Sequence, residues 1–198
     1  MHRTLILEVI IPLGEKINIE NFIREESDWV ERKYIELSRS KKVIDDGLVL
    51  FQGKYYNLRI DPSDIKKYGV VELAGNELVV HAEKNADPYA FIVMWMKAKT
   101  LEYVSEKAHK YSEKFGLTYN KLYVRSIGKW GLCSGRGDIT FNWQLIALPE
   151  EIADYVILHE LAHLLVFNHS KTFKKKLALM CPDFKERERA LNSFATVS

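Results

Sequence analysis

His159-Glu160-Leu161-Ala162-His163, followed by Leu164-Leu165-Val166-Phe167-Asn168-His169, puts three of the chain's six histidines between positions 159 and 169. On an α-helix each residue advances about 100°, so His159 and His163 lie about 40° apart on one face and about 6 Å apart along the axis. Two imidazoles so placed can close on a single Zn²⁺. Glu160 falls about 60° round from His163, near enough to reach a water at the metal without binding the metal itself.

A tetrahedral zinc that performs chemistry takes three protein ligands and keeps one position open. His169 is the nearest third candidate. Were the helix to continue, His169 would stand about 15 Å along the axis from His159, whereas Zn–N bonds are about 2.0–2.1 Å. The helix is therefore expected to stop after His163 and the chain to fold back, with Asn168, which tolerates the left-handed region, in the turn. A chance HExxH on an ordinary helix is the bland alternative. The flanks, including Ile152, Val156, Ile157, Leu158 and Leu161, are apolar nearly all round, so the helix is buried. Burying two histidines and a glutamate is costly unless they are paired or hold a metal.

The rest of the chain frames that helix. At 198 residues, 47% hydrophobic and 28% charged, the composition is that of one soluble globular domain with a real core. A net charge of +2 makes no strong case for nucleic acid. Cys133 and Cys181 show neither ligand spacing nor a disulfide framework, which fits a reducing compartment, and the chain reads as cytoplasmic. The apolar run at 4–13 is broken by Glu8 and is too short to span a bilayer, so no membrane role is expected.

Residues 4–11 read as a strand, and Asn18 can cap a helix to about residue 38, with Phe22, Trp29, Tyr34 and Leu37 on its apolar stripe. Two hairpins follow, 48–51 with 55–60 and 70–73 with 78–81. His81 ends a strand without a ligand-like neighbour and is read as structural. Asp87-Pro88 starts a long helix that Gly116 stops; it should pack behind the His159 helix. Strands at 122–127 and 138–143 flank a loop, 129–137, whose glycines have the wrong spacing for a phosphate loop. Pro149 opens the His159 helix, Ser170 can cap the next one and Asp183 the last, and Lys174, Lys175 and Lys176 read as a solvated face. The expected organisation is an N-terminal α/β portion, residues 1–85, continuous with residues 86–198.

Trp130-Gly131-Leu132-Cys133-Ser134, Asn142-Trp143, Pro149, Asp154-Tyr155-Val156, the HELAHL…NHS stretch with Phe173, and Pro182-Asp183 together resemble the YgjP-like/WLM family of predicted zinc metallopeptidases, over about residues 88–195. Two positions depart from that pattern: Leu132 stands where serine is usual, and Lys174 where an aromatic often follows Phe173. The histidine spacing is also similar to that of the metzincins, which carry glycine where this chain has Val166, so the turn here must be built differently. The resemblance implies an α+β, zincin-like metallopeptidase domain at 86–198. It would have an active helix, a long backing helix and a small, mainly antiparallel sheet, preceded by the N-terminal helix and β-hairpins. It further implies that an extended peptide pairs with an edge strand, 138–143, facing the cleft. In zincins that recruit a glutamate from a later helix, the third ligand would instead be Glu186 or Glu188.

The expected reaction is hydrolysis of a peptide bond in a peptide or protein substrate. One Zn²⁺ per chain, held by His159, His163 and His169, would bring the pKa of its water toward about 7 and polarise the carbonyl. Glu160 would take the water's proton and pass it to the leaving amine. Tyr155, Arg125 and Lys129 are the candidate oxyanion donors. The alternatives are a non-peptide substrate such as a nucleoside triphosphate, or a zinc-containing protein-interaction module in which Glu160 only steadies a ligand. A purely structural site has no need of that base, which favours the enzyme.

Overall fold

Turns that L-residues seldom adopt begin the described part of the chain. Asp46, Gly47, Gln52 and Gly53 have φ of 45°, 76°, 48° and 76°, the type I′ geometry whose twist suits two-residue hairpins. These turns join β1 (Ile44–Asp45) to β2 (Leu48–Phe51) and β2 to β3 (Lys54–Pro62), both pairs antiparallel. The second expected hairpin is present as β4 (Val70–Ala74) and β5 (Glu77–Ala82), antiparallel around Gly75-Asn76. β5 lies parallel to β3, giving a sheet in the order β1-β2-β3-β5-β4. This structure, a computed structural model, describes residues 43–62 and 69–194; the strand expected at 4–11 and the helix expected at 18–38 lie outside them. The described residues all belong to one compact unit.

Sheet register gives His81 neighbours that its own stretch of sequence does not show. Its ring nitrogens stand 3.1 Å from Glu72 and 3.5 Å from Asp61. These carboxylates come from β4 and β3, which flank β5 on its two sides, so sequence separation concealed them.

Asp87 accepts a hydrogen bond from the Tyr89 N–H, Pro88 follows as the first helical residue, and Gly116 closes α1 (Pro88–Phe115) in the left-handed region, all as the sequence dictates. Every fourth residue from Ile92 through Met96, Thr100, Val104 and Ala108 to Ser112 is buried. Ile92 and Met96 pack with Val49, Leu50, Leu78 and Val80 of the five-stranded sheet, whereas Val104 and Ala108 belong to a second core around the histidine helix. One helix thus ties the two cores together. Within the described residues, no helix is long and apolar enough to cross a membrane.

The second sheet corrects two expectations. The loop at 129–137 contains a short strand, β7 (Gly131–Cys133), and the sheet order is β6 (Leu122–Arg125), β8 (Ile139–Asn142), β7. The strand at 138–143 is therefore not an edge. β8 is paired in parallel with β6 and antiparallel with β7, and a strand has only two sides. β8 also ends before Trp143. The Asn142 side chain accepts from the Gln144 N–H and starts a 3-10 helix, Trp143–Ala147.

That 3-10 helix carries the first sheet to the site. Its Ile146 and Ala147 carbonyls accept from the Gln52 and Gly53 N–H groups at 2.8 and 2.9 Å. A Cβ on Gly53 would meet Pro149 Cγ at 2.9 Å, so hairpin turn and helix entry fit only with glycine there. Pro149 then opens α2 (Glu150–His163), followed by α3 (Lys171–Met180) and α4 (Phe184–Leu191). The α+β architecture expected from the sequence is present, with an active helix, a backing helix and small sheets.

Candidate metal centre

α2 is buried nearly throughout. Its height against α1 is fixed by Asp154, a buried carboxylate that accepts from the Tyr103 and Tyr111 hydroxyls, each at 2.6 Å, and from Lys107 Nζ at 3.3 Å. One turn on, the chemistry-bearing face begins.

The helix stops at His163, as a third ligand at His169 would require. Leu164, Leu165 and Val166 N–H groups donate to the Leu161 and Ala162 carbonyls in a tightening last turn. The Val166 carbonyl then accepts from His163 Nδ1–H at 3.1 Å. This bond fixes the tautomer and leaves His163 Nε2 free as a lone-pair donor. Asn168 is not in the left-handed region: among the described residues only Asp46 and Gln52 are non-glycines with positive φ. It turns the chain through its side chain instead, Oδ1 accepting from the Ser170 N–H at 3.3 Å, an Asx turn. Ser170 caps α3 as expected, accepting from the Phe173 N–H at 3.4 Å. Asp183 precedes α4 but makes no capping bond; its carboxylate binds Arg187 Nε at 2.9 Å instead.

The fold-back brings His159 Nε2 and His169 Nε2 to 3.0 Å. One nitrogen from each of His159, His163 and His169 lies within 4.8 Å of the others. Two ligand atoms about 2.0–2.1 Å from a tetrahedral ion are about 3.3 Å apart, so the arrangement is close to what a single cation requires. Phe173 is buried beneath all three rings, with centroids 4.5 to 5.0 Å away, and stacks on His163. The Tyr155 hydroxyl lies behind His159, 3.4 Å from Nδ1. Burial, with the two neighbouring imidazoles adding to it, pushes His159 down to about 4. His163 is lowered as well, chiefly by burial. Both are neutral at pH 7, the form that ligates. The residues present fit a metal ion.

Glu160 lies on the other flank, buried under β7. Burial raises its carboxyl to about 7, opposed by the positive charge of Lys129 and by the backbone N–H of Cys133, which donates to it. A Cβ on Gly131 would come within 2.6 Å of Glu160 Cγ and 2.7 Å of Oε1. The glycine is what lets β7 approach the carboxylate. Lys129, Gly131, Leu132 and Cys133 line one side of a cleft of about 280 Å³ that also reaches Glu160, the three histidines and Phe167.

Of the candidate oxyanion donors, only Lys129 lines this cleft. Tyr155 is buried behind His159, and the Arg125 guanidinium stacks over the Tyr123 ring at 4.6 Å. Glu186 and Glu188 are exposed on α4 and, among the described residues, are not part of the ligand group. Sequence reasoning missed Gly131 and Cys133 as cleft residues, because a three-residue strand leaves no periodicity to read. It also missed Phe167 as a wall.

The family model for the YgjP-like metallopeptidase domain matches residues 2–194. The chain belongs to that family. The match begins well upstream of residue 88, where the motif resemblance starts. No curated protein matches this YgjP-like chain significantly. Two solved structures are similar to part of it. The metallopeptidase zymogen of Pyrococcus abyssi abylysin is 24% identical with a TM-score of 0.42, covering 48% of this chain and 99% of that one. The metallopeptidase zymogen of Methanocaldococcus jannaschii jannalysin is 18% identical with a TM-score of 0.36, covering 44% and 94%.

Proposed function

We propose that this YgjP-like protein is a zinc metallopeptidase in which His159, His163 and His169 hold one Zn²⁺ and Glu160 is the general base. The observation that carries the reading is the pairing of three convergent imidazoles with a buried carboxylate on the adjoining flank of the same cleft. When bound, the metal supplies Lewis acidity, acidifying the attacking water and polarising the scissile carbonyl. Glu160, raised to about 7 by burial, accepts the water's proton near neutrality and returns it to the leaving amine. Lys129, at the cleft rim, stabilises the negative charge that develops on the carbonyl oxygen. Tyr155 and the Val166 carbonyl orient His159 and His163 from behind.

The substrate backbone pairs with β7, the strand of the second sheet that lines the cleft, rather than with β8. A nucleoside triphosphate is a poorer fit, since Lys129 is the one cation among the described residues lining the cleft. The cytoplasmic assignment rests on the two free cysteines, Cys133 and Cys181. The test is a hydrolase screen of zinc-loaded protein with peptide and nucleotide substrates side by side, with and without chelator. Chelator-sensitive peptide cleavage is expected; cleavage of nucleotides alone would overturn the peptidase assignment.

A further inference from the structure

Two large apolar side chains stand at the mouth of the cleft. Leu132, on β7, is 50% exposed and Phe167, on the turn between α2 and α3, is 58% exposed. Both line the same space as the three histidines and Glu160. Covering a leucine or phenylalanine side chain takes its apolar surface out of water, so a ligand that covers both gains from each. The cleft, at about 280 Å³, is just below the roughly 300–1,000 Å³ of sites for drug-sized ligands. It has room for a side chain or two beside the reacting bond. Among the described lining residues Glu160 is the only acidic one, and it is buried, while Lys129 is exposed at the rim.

Resting on the peptidase reading above, we propose that Leu132 and Phe167 form a specificity subsite for a large apolar side chain (Leu, Phe or Met) on a residue flanking the scissile bond. A glycine or polar residue there leaves both walls wet. A lysine or arginine meets Lys129 with no free carboxylate to receive it, so the subsite also selects by charge.

The test uses zinc-loaded full-length protein and peptides varied to Leu, Phe, Met, Gly, Asp or Lys on either side of the cut, with cleavage mapped by mass spectrometry. At one flanking position kcat/KM for Leu and Phe is expected to exceed that for Gly and Lys at least about tenfold, the discrimination an apolar pocket supplies. Leu132→Ser and Phe167→Ala, both at exposed positions, should each narrow that ratio about fivefold or more. Leu179→Ala, 76% exposed and outside the cleft, should leave it unchanged. Calorimetric titration of zinc-loaded Glu160→Gln with the same peptides should return the same ranking without turnover. Cleavage with no apolar preference, or a ratio unmoved by both variants, overturns the subsite and leaves the peptidase reading standing. Ranked binding without cleavage supports the subsite and removes the catalytic claim. Neither cleavage nor binding of any peptide overturns both.

Discussion

A methyl group on residue 131 would sit 2.6 Å from Glu160 Cγ, closer than real Cβ atoms approach. Gly131 is not among the glycines with positive φ, so its backbone admits alanine without strain and the clash falls on the carboxylate alone. Gly131→Ala is therefore expected to displace Glu160 while leaving the three histidines in place. Turnover should fall by about 10²-fold or more, within the range that positioned acid–base groups supply, with zinc content unchanged by elemental analysis. Loss of zinc in step with activity would instead mean that the strand supports the ligands. Glu160 also gives the chain a pH signature. Its carboxyl is raised from 4.5 to about 7, first by burial, so the folded state binds its proton more tightly than the unfolded state. That contribution is fully present below 4.5 and is lost as pH rises through about 7, on the order of 3 kcal/mol in all. His159, lowered from 6.5 to about 4, acts in the opposite sense over nearly the same window, and it cancels when two variants sharing it are compared. In chelator-treated protein, the Tm of Glu160→Gln minus that of wild type should grow between pH 4.5 and 7. A difference that stays flat across that window would show that the carboxylate is not held as described.

Among the elements, the segment from α2 through the turn to α3 brings the three proposed ligands together. The end of α2 is legible in sequence because distance along a helix axis forbids His169 from reaching the metal otherwise. The device that turns the chain is not: Asn168 uses its side chain, not a left-handed backbone, and both uses are open to asparagine. His169→Ala should weaken zinc binding strongly in a competition titration, whereas Glu186→Ala and Glu188→Ala should not; either glutamate ranking above His169 would refute the fold-back as the source of the third ligand. The bounds of α1 are equally legible, since Asp87, Pro88 and Gly116 act locally. The status of β8 is not local. The alternation of Ile139 and Phe141 marks a strand but does not show that both its sides are taken: β6 pairs from across the intervening loop, and β7, one turn upstream, is only three residues long. Asp154 belongs to this scale as well. Removing its carboxylate takes away the partner of the Tyr111 hydroxyl at the joint between α1 and α2, while Tyr103 keeps the Glu150 carbonyl and Lys107 keeps the Glu150 carboxylate. Asp154→Ala should cost about 1–3 kcal/mol, read as a lowered denaturation midpoint, with zinc stoichiometry retained by the folded protein. A loss below about 1 kcal/mol would mean that the network is not formed in solution.

Across the described molecule, two cores share one backing helix, and the cleft opens where the second sheet meets the end of α2. The arrangement places an apolar floor, Phe173, beneath the histidines and a strand rim above the carboxylate. Such a layout packs the histidines and Glu160, neighbours along α2, against different elements, Phe173 and β7, so loss of zinc and loss of turnover are expected to be separable by mutation. The decisive measurement is peptide hydrolysis by zinc-loaded wild type and Glu160→Gln, with metal content determined on the same samples. Both proteins should carry close to one zinc per chain, chelator should abolish wild-type cleavage, and the glutamine variant should be slower by at least about 10²–10⁴-fold. Turnover by Glu160→Gln at the wild-type rate would contradict the assignment of Glu160 as the base.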